Sequence, residues 1–212
     1  MQITSIEQAK KNINRVNLFL DGEFWVGLDK NDLLEFQLHK NKTISEEEKK
    51  EIEKTSQLGK IRTRILNYTM LRPHSKREIL DHFILKKEID RQEIQSVLDE
   101  LEEKSLISDL EFAKWYMEGR LASGKHGVNK IRAELMKKGV SSKFIEIAIY
   151  EKTSTEEFEE KNIEQIKEYI QKVSRSIKSK DDREFKNKLI QRLMSRGFKY
   201  DDIKSALKIE ED

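Results

Sequence analysis

The sequence predicts a mainly α protein of three tandem three-helix, helix-turn-helix-like repeats in an elongated array, preceded by a small β-hairpin and helix. Three observations point there. Residues 127–149, GVNKIRAELMKKGVSSKFIEIAI, recur as REFKNKLIQRLMSRGFKYDDIKSAL at 183–207, and more loosely as SKREILDHFILKKEIDRQEIQSVL at 75–98. Ile131, Leu135, Gly139, Val140, Ile145 and Ile149 map onto Leu189, Leu193, Gly197, Phe198, Ile203 and Leu207 at a constant offset of 58. The first copy supplies Ile79, Phe83, Ile89, Ile94 and Leu98, with one extra residue at its turn. Second, 39% of the 212 residues are charged and 36% hydrophobic, against ~25% charged in an average domain. Helices that hide little of their surface have this composition. Third, the apolar residues are helically periodic and the net charge is only +2, which separates the chain from disordered ones. Units of this size pack side by side because none buries its apolar face alone, and they offer a long surface rather than a pocket.

The elements follow in order. Residues 1–56 read as an N-terminal extension. Asp21-Gly22 between Arg15–Leu20 and Glu23–Leu28 suits the positive φ angles of a type I′ hairpin, with Val16, Leu18 and Leu20 on one face. A short strand near Ile3–Ile6 pairs with it, and helices at about 29–38 and 45–58 cover it, the second opened by a Ser45/Glu48 capping box. Trp25 and Phe24 are either covered by that helix or exposed as a partner contact. Repeat one, 57–108, has a first helix with Ile61, Ile65 and Tyr68 that stops near Arg72 because of Pro73. A helix opened by Ser75/Glu78 runs to about Lys87, and another follows Asp90. Repeat two, 109–152, opens at the Ser108/Glu111 box, with Phe112, Ala113, Tyr116 and Leu121 inward. Repeat three, 153–212, opens with a helix at 156–178, whose seam of Ile163, Ile166, Ile170, Val173 and Ile177 packs on the two helices behind it. Gly139 and Gly197 supply the left-handed residue after a helix, close to Lys137, Lys138 and Arg196, which favour a last turn.

Enzyme chemistry finds no support. The absence of cysteine excludes disulfides and thiolate metal sites. No Gly-rich phosphate loop of either common pattern occurs. His39, His74, His82 and His126 are scattered without metal-ligand spacing. Asp201-Asp202 and Glu46-Glu47-Glu48 sit at helix starts, where they favour the helix dipole. No metal or cofactor is expected. No apolar run approaches ~18 residues and no signal pattern opens the chain, so a cytoplasmic monomer without membrane contact is expected.

Charge is segregated. Residues 113–143 carry eight basic against two acidic residues, 178–208 ten against five, and 88–111 two against nine. This suggests a basic surface for polyanions or acidic protein faces. Helix-turn-helix DNA reading would use Ser141, Ser142 and Lys143 in repeat two, but Tyr200, Asp201 and Asp202 in repeat three would meet phosphate repulsion. Nonspecific phosphate contact through Lys and Arg fits better.

Leu106-Ile-Ser-Asp-Leu-Glu-Phe-Ala113, with Arg120, Gly127, Ile131-Arg-Ala-Glu-Leu135 and Lys138-Gly139-Val140, resembles the RecX family of bacterial recombination regulators. So do RPHSKREI at 72–79, RGFKYDDIKSAL at 196–207, and the hairpin followed by ISEEEKKEI at 44–52. Where the family often has Gly-Pro and two basic residues, this chain has Gly127-Val128-Asn129-Lys130, and Glu118 replaces a frequently basic residue. The resemblance implies a curved body that lodges in the groove of the RecA filament on single-stranded DNA. It implies a non-catalytic restraint on strand exchange, ATP hydrolysis and co-protease function, within the SOS response, DNA repair and homologous recombination. The candidate contact residues are Arg120, Lys125, Lys130, Arg132, Lys137, Lys138, Lys188, Arg192 and Arg196. Single- or double-stranded DNA is a further expected partner. The alternatives are a nonspecific DNA-binding helical protein independent of RecA, and a scaffold for an unrelated partner.

Overall fold

The computed structural model describes residues 1–10, 12–85 and 89–208. The hairpin forms as its turn chemistry requires. Strands β1 (Ile3–Gln8), β2 (Arg15–Leu20) and β3 (Glu23–Asp29) make an antiparallel sheet in the order β1-β2-β3. Asp21 and Gly22 have φ of 48° and 94°, the signs that a type I′ turn demands. Val16 pairs with Leu28 and Leu18 with Val26, so alternate residues of both strands face one core with Ile3, Leu38, Ile44 and Ile52.

Helix α1 (Lys30–Glu35) is shorter than the expected 29–38, because Gln37 turns to φ 50°. Helix α2 (Glu46–Thr69) joins the stretches expected at 45–58 and from 57 onward into one 24-residue rod. The Ser45/Glu48 box closes on both sides: Glu48 N donates to Ser45 Oγ at 3.1 Å and Ser45 N to Glu48 Oε2 at 3.0 Å. Small residues bring α2 against β3. Ser56 Oγ donates to the Gly27 carbonyl at 2.8 Å, and Gly59 leaves room for the Asp29 carboxylate. Trp25 is half-buried and donates to Glu53 at 2.8 Å, whereas Phe24 stays 61% exposed, edge-on to Phe19. The covering helix thus holds Trp25 and leaves Phe24 exposed.

Residues 1–71 and 87–103 form one compact unit, and 72–86 with 104–212 another. In the first, α4 (Arg91–Glu103) follows Asp90 as expected. Arg62 ties three elements, donating to Asp29 of β3 at 3.1 Å and to Glu100 of α4 at 2.6 Å.

The second unit holds α3 (Lys76–Leu85), α5 (Asp109–Ala122), α6 (Val128–Lys137), α7 (Ser142–Thr153), α8 (Glu156–Ser174), α9 (Asp182–Ser195) and α10 (Tyr200–Leu207). The expected end of the α3 helix, Lys87, lies outside the described residues. Phe112, Ala113, Met117, Ile131, Leu135, Val140, Ile145 and Ile149 form the core of α5–α7. Ile166, Val173, Leu189, Leu193, Phe198 and Ile203 form that of α8–α10, with Ile163, Ile170 and Ile177 against it, so the α8 seam packs on its own repeat. Helix α8 ends at Ser174, short of 178. Ser174 and Ser176 hydroxyls bond back to the Ile170 and Val173 carbonyls at 2.6 and 2.7 Å, a local competition that favours termination.

Both repeat glycines close a Schellman turn. Gly139 and Gly197 have φ of 82° and 86°, and Val140 N and Phe198 N reach the Leu135 and Leu193 carbonyls at 3.2 and 3.4 Å. Each turn also seats another helix. Gly127 N and Asn129 N, at the start of α6, donate to the Arg196 and Gly197 carbonyls at 2.9 and 3.0 Å. A Cβ on Gly197 would lie 2.2 Å from Lys130 N, and one on Gly127 2.3 Å from the Gly197 carbonyl oxygen. At the other joint, Ser75 Oγ before α3 donates to the Lys138 carbonyl at 2.7 Å, and a Cβ on Gly139 would meet Arg77 at 2.7 Å.

The glycines separate strain from clash. Gly22, at φ 94° with nothing within 4 Å, loses about 1–2 kcal/mol on Gly22→Ala. Gly127 has an ordinary φ of −80° but no room, so Gly127→Ala costs about 3 kcal/mol through backbone displacement. Gly197→Ala combines both and is the most damaging. Urea unfolding of the three variants checks the order, and equal losses would refute the seat.

Candidate partner-binding face

The nine candidate cations divide by whether a carboxylate already holds them. Arg120 lies on α5, and its guanidinium grips Glu134 of α6 through both forks, one of them 2.8 Å from Glu134 Oε2. Tyr116 donates to the same carboxylate at 2.9 Å. Burial resists ionisation of Glu134, yet the bonds from Arg120 and Tyr116 prevail and hold its carboxyl below the usual range. Arg132 on α6 makes a two-pronged bond to Glu146 of α7 at 2.9 and 3.0 Å, and also donates to Asn129 at 2.8 Å. Lys188 reaches Glu184 at 2.8 Å and the Lys178 carbonyl at 2.8 Å.

Lys138 serves the α3 joint. Its ammonium lies 2.5 Å from Glu78, which Arg72 also approaches at 3.0 Å, and it stands 5.2 Å from the centre of the Tyr116 ring. Burial opposes the charge on Glu78, but the Lys138 and Arg72 bonds overcome it and depress its pKa. Ser75 accepts from Glu78 N at 3.1 Å, so the expected cap is present, while the Glu78 side chain turns to the two cations. Asp109, nearly buried, accepts from Lys76 N at 2.8 Å and pins the same helix start.

The remaining five have no carboxylate partner among the described residues: Lys125, Lys130, Lys137, Arg192 and Arg196. Lys125 and Lys137 are exposed. Arg192 donates to Ser176 Oγ at 3.0 Å, and Arg196 lies 5.4 Å over the Tyr169 ring. The Gly197 seat brings Arg196, Lys130 and the loop carrying Lys125 together, whereas Arg192 borders the end of α8. His126 sits among them, a residue that scattered histidine spacing did not single out. Burial, then Arg120, Lys130 and Arg196, push its pKa below the ordinary histidine value. Of the helix-turn-helix residues, Ser141 caps α7 by accepting from Phe144 N, and Asp202 accepts from Asn162 at 2.8 Å.

Among the described residues, no three His, Asp or Glu side chains gather as metal ligands, and no helix is long and apolar enough to cross a membrane.

Three family models match the chain. The regulatory protein RecX N-terminal domain covers residues 1–45, the second RecX three-helix domain 108–149 and the third 159–207. The regulatory protein RecX of Clostridioides difficile is 31% identical over 97% of this chain and 93% of its own length. That of Bacillus subtilis is 29% identical over 97% of this chain and 75% of its own. A crystal structure of a regulatory protein RecX matches 99% of both chains with a TM-score of 0.82 at 24% identity. RecX from Lactobacillus salivarius matches 71% of this chain with a TM-score of 0.60 at 23% identity. These two likenesses concern the fold.

Glu78 and Glu134 both titrate below an ordinary carboxylate in the folded chain. Their contribution is therefore complete above the unfolded pKa, about 4.3, and disappears as pH falls through the lower folded values. Thermal melting from neutral pH to about 3 should show a falling limb that Glu78→Gln and Glu134→Gln each flatten; an unchanged limb would remove these ion pairs from the account.

Proposed function

This chain belongs to the RecX family of regulatory proteins, and from that premise we propose that it binds the RecA filament on single-stranded DNA and restrains its recombinase, ATPase and co-protease activities without catalysis of its own. Family membership from end to end is the observation that carries the reading. The geometry supports it through Lys125, Lys130 and Arg196, which gather on one joint without internal carboxylate partners. Such charges are attracted to an acidic protein surface or to phosphates at the least internal cost. Repeated units suit a partner that is itself a polymer, because each added contact is made at high effective concentration. The setting is the bacterial cytoplasm, in DNA repair and the SOS response.

Arg132, Lys138 and Arg120 are poor probes of this face, since reversing them would leave Glu146, Glu78 or Glu134 unpaired. Lys125→Glu combined with Lys130→Glu and Lys137→Glu avoids that. This triple variant should melt near the wild type yet need about tenfold or more higher concentration to inhibit RecA ATPase on single-stranded DNA. Full inhibition by the folded variant discards the face. Failure of the wild-type chain to bring down RecA, with DNA binding intact, would favour the RecA-independent reading.

A further inference from the structure

The turn that seats α6 also collects charge around a histidine. His126 precedes Gly127, whose amide donates to the Arg196 carbonyl at 2.9 Å, while the Lys130 backbone lies against Gly197. The charged groups acting on the imidazole are Arg120 of α5, Lys130 and Glu134 of α6, and Arg196 of the α9–α10 turn, with Lys125 beside it in sequence. Glu134 is already held by Arg120 and Tyr116. The other three cations face no carboxylate among the described residues. Among the described residues, His126 Nδ1 is buried without a partner, and so is the hydroxyl of Tyr169, on whose ring Arg196 rests. Unsatisfied polar atoms are rare in native interiors, and both of these residues neighbour Arg196. An oxyanion supplies charge for the cations and acceptors for their donors.

We propose that His126, with Lys125, Lys130 and Arg196, forms a proton-controlled seat for the phosphate groups of a nucleic-acid strand. The inference rests on the reading of this face as partner-binding and adds its ligand chemistry and its regulation. The sign follows from charge. With the imidazole neutral, the seat relies on its lysines and arginine; protonation adds a further positive charge, and a bound phosphate stabilises that imidazolium. Burial and the neighbouring cations keep His126 neutral in the free chain near neutrality. Binding therefore takes up a proton, and affinity rises as pH falls, by at most about tenfold per pH unit for one coupled proton.

The test is fluorescence anisotropy of a labelled single-stranded oligonucleotide with the full chain, without RecA, between about pH 5.5 and about 7.5, the range in which histidine titrates. The wild type should tighten by roughly tenfold across that range, and His126→Gln by roughly twofold at most. Lys130→Gln and Arg196→Gln should weaken binding at every pH, and the rise toward low pH should persist with its midpoint moved up, because each cation opposes the imidazolium. Melting curves verify each fold, and His126→Asn replaces His126→Gln should the latter unfold. Equal slopes in wild type and His126→Gln overturn the proposal. Competition by inorganic phosphate at the concentration of strand phosphate overturns the assignment to a strand. A polyglutamate peptide bound in preference to the oligonucleotide, with the same slope, overturns phosphate as the ligand. Because RecA is left out, a flat slope leaves the RecA reading standing, and failed RecA inhibition leaves this one standing.

Discussion

The constraint on which the second unit depends is the approach of a helix start to a glycine turn. A helix begins with amide hydrogens that have no partner and ends with carbonyls in the same condition. At the α6 seat these deficits cancel: Gly127 N and Asn129 N meet the carbonyls of Arg196 and Gly197. The contact also sets the positive end of one helix dipole against the negative end of another. Side chains cannot enter such a contact, because either Cβ would fall within 2.4 Å of backbone atoms. The α3 joint solves the same problem with one side chain more, since Ser75 Oγ bridges to the Lys138 carbonyl while Arg77 fills the space that Gly139 leaves. Helix placement in this unit is therefore a backbone property, and the surface charges ride on it.

That placement decides which charges stay available. Glu78, Glu134 and Glu146 each come from a different helix from the cation they hold. Two of the three pairs use the full fork of an arginine, and such geometry favours internal bracing over contact with a partner. Freeing Arg132 or Arg120 for a partner would strand a carboxylate, whereas Lys125 and Lys130 have nothing to leave behind. The basic surplus of residues 113–143 is consequently smaller as a surface than as a count of residues. Among the candidate cations, what is left of it lies at both ends of α6, Lys125 and Lys130 at its start and Lys137 at its close.

Much of this was legible in the chain. Asp21-Gly22 fixed the hairpin turn because few residues tolerate two successive positive φ angles, and the period of 58 fixed the second and third repeats because it preserved core residues and turn glycine together. The glycines were readable as helix ends. Their second use was not, because the atoms they admit, Lys130 N and Arg77, lie far away in sequence. The same holds for the ion pairs. Arg120 and Glu134 are separated by 14 residues and Lys138 and Glu78 by 60, so no helical spacing rule connects them. The continuous α2 was missed for a different reason. The boundary drawn between the extension and repeat one at 56/57 falls inside a continuous helix, where Ser56 and Gly59 form the small surface that β3 needs, and a helix tolerates both when packing compensates for their propensity.

His126 shows why a site of this kind hides from residue counting. Alone, a histidine between Lys125 and Gly127 is an ordinary loop residue. The fold makes it unusual by closing the Gly197 turn over the loop and bringing Lys130 and Arg196 beside a ring nitrogen that has lost water without gaining a bond. Burial and like charge then act in the same direction, both against the imidazolium, and the Glu134 carboxylate offsets them only in part. The nearest carboxylate, Glu134, is already committed to Arg120 and Tyr116. An incoming anion offsets the like charge and offers the imidazolium an acceptor in place of the lost water, which couples the affinity of this face for phosphate to the protonation of His126.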